Sequence, residues 1–350
     1  MGKIFFEIYP AFNIKRFQKN TSDTGKLELK ERVKLLTHGL KCELPENYSE
    51  AIPIIQKVLA KKTLSGFELW PVSEYIGQFG TKHFKESFEA MYLLTQQFTS
   101  EFAIRPFLLK DHAQVLKILK KYTKDKNVHV RRWVSEGSRP ILPWDGKLAA
   151  FILNPELTLD LLEALKYDDE LYVRKSVANH LNDITKNHPE VVIRLLSRWS
   201  KEAPENQKNK IEWITRHALR VLIKKGHPGA LGLMGVGKKV EIKFHRLKLN
   251  AKKFNLGNTL EFEIVLSSRA KKKQKIIVDY LIHFQKANGK TTPKVFKFKT
   301  LELDPGEKLI LTKKHKLKKI STMTFYKGLH GISIQINGKI YALASWMFHP

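Results

Sequence analysis

The sequence predicts an all-α HEAT-like repeat solenoid followed by an all-β immunoglobulin-like sandwich. Three observations predict it. Before about Gly235, apolar residues recur at three- and four-residue spacing, the mark of amphipathic helices. Within that half a short motif returns at intervals of about 43 residues. After Gly235 the pattern changes to apolar–polar alternation broken by turn residues. The 350-residue chain is long enough for two domains, set here at 1–235 and 236–350.

In the helical half, 84–98, 113–122, 157–165 and 211–223 read as helices. The repeat is Val130-Arg131-Arg132-Trp133-Val134-Ser135, which lines up with Val173-Arg174-Lys175-Ser176-Val177-Ala178. A further copy, Ile214-Thr215-Arg216-His217-Ala218, follows about 42 residues later, and a weaker one, Phe102-Ala103-Ile104-Arg105, precedes them. In the copy near 130, Val130, Trp133 and Val134 form one stripe, with Arg131, Arg132, Ser135 and Glu136 on the opposite face. In the next copy Val173, Val177 and Leu181 point inward, and Lys175, Asn179 and Asn182 share another face. Stacking such units would align their polar faces into a basic surface suited to a duplex.

The strand half reads as seven strands: 239–248, 258–267, 275–285, 294–302, 308–316, 330–336 and 339–347. Asn337-Gly338 is a two-residue hairpin signal. Seven short strands suggest an immunoglobulin-like sandwich, with a small barrel as the alternative. The segment 226–237, with five glycines, reads as a flexible connection.

Charge points to a polyanion. Lys plus Arg total 63 against 34 acids, a net +29. From 236 onward there are 25 basic and 7 acidic residues, so +18 of that excess lies in the strand half. Lys271-Lys272-Lys273 and the lysines of 313–319 sit between or at the ends of strands, where lysine serves as a point charge for phosphate or as protection for sheet edges. One cysteine, Cys42, excludes a disulfide scaffold, a zinc finger and an iron–sulfur protein. No apolar stretch approaches the roughly 20 residues of a membrane span. The start is too short and mixed for a signal peptide, so a soluble, cytoplasmic, nucleoid-associated monomer is expected.

Three segments could carry chemistry. In Thr99-Ser100-Glu101, the hydroxyl residues resemble an N-cap that puts Glu101 in a first helical turn, where a carboxylate favours the helix dipole. In 130–145, Arg132 and Glu136 stand four apart, as in an ordinary surface ion pair. Yet Gly137 ends the helix beside the loop Pro143-Trp144-Asp145-Gly146, which sets a carboxylate next to a loop indole. In 173–183, Asn179, His180, Asn182 and Asp183 are poor helix formers that need either inter-helix hydrogen bonds or nucleic-acid contact. No P-loop, GxGxxG, HExxH or GxSxG occurs, which sets aside nucleotide hydrolases, dehydrogenases and zinc proteases.

The strings TSEFAIRPF (99–107), VRRWVSEGSRPILPW (130–144) and VRKSVANHLNDITKNHP (173–189) resemble the AlkC family of alkylpurine DNA glycosylases. YPAF (9–12) and PVSEYIGQFG (71–80) add to the likeness, which covers roughly 5–230. The strand half looks like the form with an added immunoglobulin-like domain. The resemblance implies a HEAT-like-repeat enzyme related to AlkD. It would excise cationic N3-alkylated bases, 3-methyladenine and 3-methylcytosine, without a tight base-flipping pocket and without metal or cofactor. By the same resemblance Glu101, Glu136 and Trp144 match catalytic positions. Alkylated DNA is the expected partner, with no membrane. Arg105, Arg131, Arg132, Arg139, Arg174, Lys175, Asn179, Asn182, Lys271, Lys272 and Lys273 are the expected DNA-binding set. A different class remains as an alternative, a non-enzymatic helical-repeat scaffold in which the same carboxylates are surface ion pairs.

Overall fold

Helices fill the chain to Leu233 and strands begin at Ile242. The computed structural model describes residues 1–237, 240–319 and 324–350. Lys239, the expected first residue of a strand, lies outside them. The first helices are α1 (Gly2–Ile8), α2 (Ile14–Asn20), α3 (Leu29–Glu43), α4 (Tyr48–Lys61), α5 (Trp70–Phe79) and α6 (Phe84–Thr95). The repeat region follows as α7 (Arg105–Tyr122), α8 (Val128–Gly137), α9 (Ala149–Leu153), α10 (Glu156–Leu165), α11 (Leu171–Ile184), α12 (Pro189–Glu202) and α13 (Lys208–Ala218). Then come α14 (Arg220–Lys224) and α15 (Pro228–Leu233).

The repeats fix α8 and α11 in the same way. Asn127 caps α8 by accepting from the His129 amide at 2.9 Å. Val130, Trp133 and Val134 are buried, as are Val173, Val177 and Leu181 of α11. The turn before α8 is closed by Arg131, whose Nη1 donates to the Asp125 and Lys126 carbonyls at 2.9 and 3.1 Å. Forty-three residues on, Arg174 Nη1 donates to the Asp168 and Asp169 carbonyls at 2.6 and 2.8 Å. α11 packs between α8 and α13, so these helices form one layer. The copy at 214–218 closes α13 instead of opening a helix, and the copy at 102–105 lies in the turn leading into α7.

The strand half has eight strands: β1 (Ile242–Leu249), β2 (Lys253–Asn255), β3 (Thr259–Ser268), β4 (Gln274–Gln285), β5 (Thr291–Leu303), β6 (Lys308–Lys316), β7 (Gly328–Ile336) and β8 (Lys339–His349). They form a three-stranded sheet, β1-β3-β6, and a five-stranded sheet, β2-β8-β7-β4-β5. Phe262, Ile264 and Leu311 from one sheet meet Val278, Tyr280, Ile332 and Trp346 from the other in a single core. The extra strand β2 is three residues long, too short to show alternation, and pairs parallel with β8. Asn337 and Gly338 take φ of 46° and 82°, as a two-residue hairpin turn requires.

By packing the chain divides into two compact units, 1–192 with 198–218, and 193–197 with 219–350. The expected boundary near 235 falls inside the second unit. The expected flexible connection is largely structured instead. Part of it is α15, and Leu231 and Val236 pack with Ile277 of β4. At Gly226 a Cβ would lie 2.6 Å from the Gly338 Cα, so this glycine serves close packing against the hairpin turn.

Candidate active site

Pro106 fixes where α7 begins. A proline suits the first helical turn, so the helix opens at Arg105 and residues 101–104 remain a turn. Glu101 therefore precedes the helix, not in its first turn as the sequence suggested. Thr99 Oγ1 accepts from the Glu101 amide at 3.2 Å and donates to Glu101 Oε2 at 3.0 Å. Arg132 Nη1 donates to the same Oε2 at 2.5 Å. The side chain of Glu101 is 13% exposed. Its Oε1 makes no bond with any described residue.

Arg132 joins Glu101 to Glu136. Its Nη2 lies 3.5 Å from Glu136 Oε1, one helical turn away on α8. The Tyr172 ring covers the guanidinium, with 5.3 Å to the ring centroid. Glu136 is buried, and its other partners come from beyond its helix. Arg139 Nη1 donates to Oε1 at 2.6 Å, and Ser176 Oγ of α11 donates to Oε2 at 2.6 Å. Burial alone would raise the Glu136 pKa, but the Arg132 and Arg139 guanidiniums and the Ser176 hydroxyl outweigh it and hold the carboxyl below the usual range. Arg139 Nε also donates to Asp183 at 2.7 Å, and Asp183 pairs with Lys186 at 3.0 Å. The result is an alternating row of charges from the start of α7 to the end of α11. Ser135 and Glu136 are thus buried, not on an open face as the α8 pattern suggested.

Trp144 belongs to a second group of side chains. It is 61% exposed and holds φ of +70°, a left-handed backbone that a bulky residue seldom takes. Its loop is closed by an Ile141–Lys147 bridge. Lys30 of α3 donates to the Trp144 carbonyl, and Arg105 donates to the Gly146 carbonyl. The indole stacks on Trp70 at 6.2 Å between centroids, and Trp70 stacks on Phe102 at 5.1 Å. Phe102 follows Glu101 directly, so the turn before α7 contributes both a carboxylate and the base of an aromatic column.

The expected DNA-binding set divides in two. Arg105, Arg139 and Asn182 are buried and bonded within the protein, which removes them from phosphate contact. Arg105 Nη1 donates to the Arg139 carbonyl at 2.5 Å, burial lowers its pKa to about 10, and Asn182 donates to the Ala218 carbonyl at 2.7 Å. Arg131 and Arg174 close turns, and Arg131 also pairs with Asp168 at 2.6 Å. Asn179 hydrogen-bonds His217 at 3.1 Å. Lys175, Lys271 and Lys272 are exposed, while Lys273 lies 3.4 Å from Asp304. Sequence reasoning missed Trp70, Lys30, Ser176 and Tyr172, since each meets the site from a helix distant in the chain. Among the described residues no cluster of His, Cys, Asp or Glu could hold a metal, and no helix is long and apolar enough to cross a membrane.

Comparison with known proteins gives a consistent picture. A family model described as "DNA alkylation repair enzyme" matches 99–222. Another, described as "Uncharacterised protein YhaZ, C-terminal Ig-like domain", matches 243–349. The chain is 40% identical over 335 residues to YhaZ of Bacillus subtilis, covering 95% of this chain and 91% of that protein. Its structure is similar to that of the Pseudomonas fluorescens alkylpurine DNA glycosylase AlkC bound to DNA containing an abasic site analog. There the TM-score is 0.90 and the identity 36%, over 100% of this chain and 96% of that one.

Proposed function

Since the chain belongs to the AlkC family of alkylpurine DNA glycosylases, in the form with a C-terminal Ig-like domain, we propose that it is a DNA repair glycosylase for cationic N3-alkylated bases. The substrates are 3-methyladenine and 3-methylcytosine in DNA. The observation that carries this reading is the Glu101 carboxylate. It is pinned through one oxygen by Arg132 and Thr99, with the other oxygen bonded to no described residue, on a strongly basic protein.

The chemistry suits that arrangement. The bond between C1′ and the base nitrogen breaks, and its electron pair leaves with the base and cancels the base's positive charge. The sugar becomes an oxocarbenium ion, which water attacks at C1′, leaving an abasic site and a neutral free base. A leaving group that is already cationic needs no strong general acid. What the transition state needs is nearby negative charge and a positioned water. Glu101 Oε1 supplies both, accepting the water proton as the new C–O bond forms. Glu136 has both oxygens occupied and a depressed pKa, so it serves as a positioning residue, holding Arg132 and through it Glu101. The exposed Trp144 face attracts the cationic nucleotide, worth about 0.5–2 kcal/mol. Lys175, Lys271 and Lys272 neutralise phosphates without reading sequence.

The test is release of free base from oligonucleotides carrying one 3-methyladenine or one 3-methylcytosine, with the abasic product identified. Uracil and ethenoadenine, which are neutral, should be poor substrates. Equal excision of neutral and cationic lesions would overturn the mechanism. No excision from either methylated oligonucleotide would overturn the function.

A further inference from the structure

α5 presents a face that the chemistry above leaves unused. Trp70, Glu74, Gly77 and Gln78 follow one another at helical spacing. With Lys30 and Lys34 of α3, Phe102, Arg105 and the Trp144–Asp145 loop, they line a half-open cavity of about 420 Å³. That is within the size range of small-molecule sites, and its walls set three aromatic rings among five charged side chains. At Gly77 a Cβ would approach the Ala103 Cα and carbonyl oxygen at 3.2 Å, so a small residue lets the floor close against the turn that carries Phe102.

Glu74 is the anomaly in this cavity. It is half-buried, yet it makes no hydrogen bond or ion pair with any described residue. Burial, then the nearby Asp145 carboxylate, raise its pKa, while Lys34 and Lys30 oppose that shift only in part. Of the neighbouring cations, Lys30 and Arg105 are committed elsewhere, while Lys34 is exposed and bonded to no described residue. The Lys30 ammonium holds the Trp144 carbonyl, and Arg105 holds the Arg139 and Gly146 carbonyls. A partly desolvated acceptor without a donor is costly, and an incoming N–H would relieve that cost. The exposed Trp144 ring and the half-buried Phe102 ring supply flat faces for stacking, with Trp70 buried between them.

We infer that this cavity is a holding site for the excised base, a flat N-alkylated heterocycle whose exocyclic amino group donates to Glu74. This rests on the glycosylase reading and deepens it. The base has lost its charge on leaving, so it needs a hydrogen-bond acceptor and stacking surface, not a counter-ion. Holding it beneath the Trp144 loop keeps it from recombining with the oxocarbenium ion before water arrives.

The test uses the full-length protein without DNA and follows tryptophan fluorescence, since Trp70 and Trp144 line the cavity. Free 3-methyladenine should quench it saturably. 3-Methylhypoxanthine, with an oxo group in place of the amino group, should bind at least tenfold more weakly to the same protein. Glu74→Leu should weaken 3-methyladenine binding at least tenfold and remove its inhibition of excision. The ligand pair decides the matter even if that variant folds poorly. No saturable quenching at millimolar base, or equal affinity for the two bases, overturns the inference while leaving excision untouched. Intact base binding without excision from methylated DNA would instead fail the glycosylase reading and keep the cavity as a base site.

Discussion

α8 and α11 are two copies of one design set 43 residues apart, and they differ where the chemistry is proposed. The turn-closing arginines, Arg131 and Arg174, make the same pair of bonds to equivalent carbonyls. Asp125 and Asp168 both accept the amide two residues on, at 2.7 and 2.9 Å. The next positions diverge. Arg132 of α8 is locked between two carboxylates, while its counterpart Lys175 is exposed. Glu136 is a buried anion, and its counterpart Asn179 is a neutral partner of His217. Residues that recur hold the layers together, and residues that break the repeat are the candidates for function.

The largest expected effect lies on the α8 side of this comparison. Glu101→Gln should slow base excision by about a thousandfold with DNA affinity nearly unchanged, a size typical of losing one preorganised electrostatic contact. Stability should fall by about 1 kcal/mol, because Arg132 loses its nearer carboxylate and keeps Glu136. Glu136→Gln should lose excision too, but with a loss of stability of about 3 kcal/mol, because Arg139 and Arg132 would be left buried and under-compensated. Single-turnover excision alongside chemical denaturation separates the two. Full activity in Glu101→Gln would remove it from the chemical step.

The second prediction addresses what the copies share. Arg131→Ala and Arg174→Ala should each cost about 2 kcal/mol or more, since both lose charged hydrogen bonds to turn carbonyls. Arg131→Ala should lose the more of the two, since it also leaves the buried Asp168 carboxylate unpaired, and the folded fraction of each should keep its excision rate. A large fall in rate for Arg174→Ala at unchanged stability would mean that α11 carries function where the comparison places scaffold.

Much of this contrast was legible in the sequence. The 43-residue spacing is visible in Val130-Arg131 and Val173-Arg174, and alternation placed seven of the eight strands. The Arg132–Glu136 pair follows from four-residue spacing. What stayed hidden has a common cause. An arginine at a helix start reads the same whether it faces phosphate or its own turn, so Arg131 and Arg174 were assigned to DNA. Arg139 and Asn182 look polar and therefore exposed, yet their partners, Asp183 and the Ala218 carbonyl, become neighbours only when the layers stack. Trp70, Lys30 and Glu74 lie some 70 to 115 residues from Trp144, with no local pattern linking them.

His180 offers a smaller test of the α11 side. It is fully buried, bonded to the Ser135 carbonyl at 3.0 Å and to Thr158 at 3.2 Å, and burial lowers its pKa to about 4. The unfolded chain therefore binds a proton between pH 6.5 and about 4 that the folded protein does not. The stabilisation is complete above pH 6.5 and is lost as pH falls across that window. From pH 7 to pH 5 the wild type should lose about 2 kcal/mol more than His180→Gln. Parallel losses in urea titrations at the two pH values would place the acid sensitivity elsewhere.

The smallest effects belong to the exposed lysines, and they compare the two units. Lys175 stands in the helical unit at the position where α8 carries Arg132, while Lys271 and Lys272 stand between β3 and β4. None is bonded to a described residue, so neutralising any of them should leave stability nearly unchanged. Each lysine that meets a phosphate releases a counterion, so Lys175→Gln should lower the slope of log K against log salt by about 0.9, with a few-fold loss of affinity. The double variant Lys271→Gln/Lys272→Gln should lower it by about 1.8 if both lysines meet DNA. Excision at saturating protein should not change, because no carboxylate or ring of the proposed site is touched. A slope that falls for Lys175→Gln but not for the double variant would confine phosphate contact to the helical unit. The β3–β4 lysines would then contribute solubility and edge protection alone.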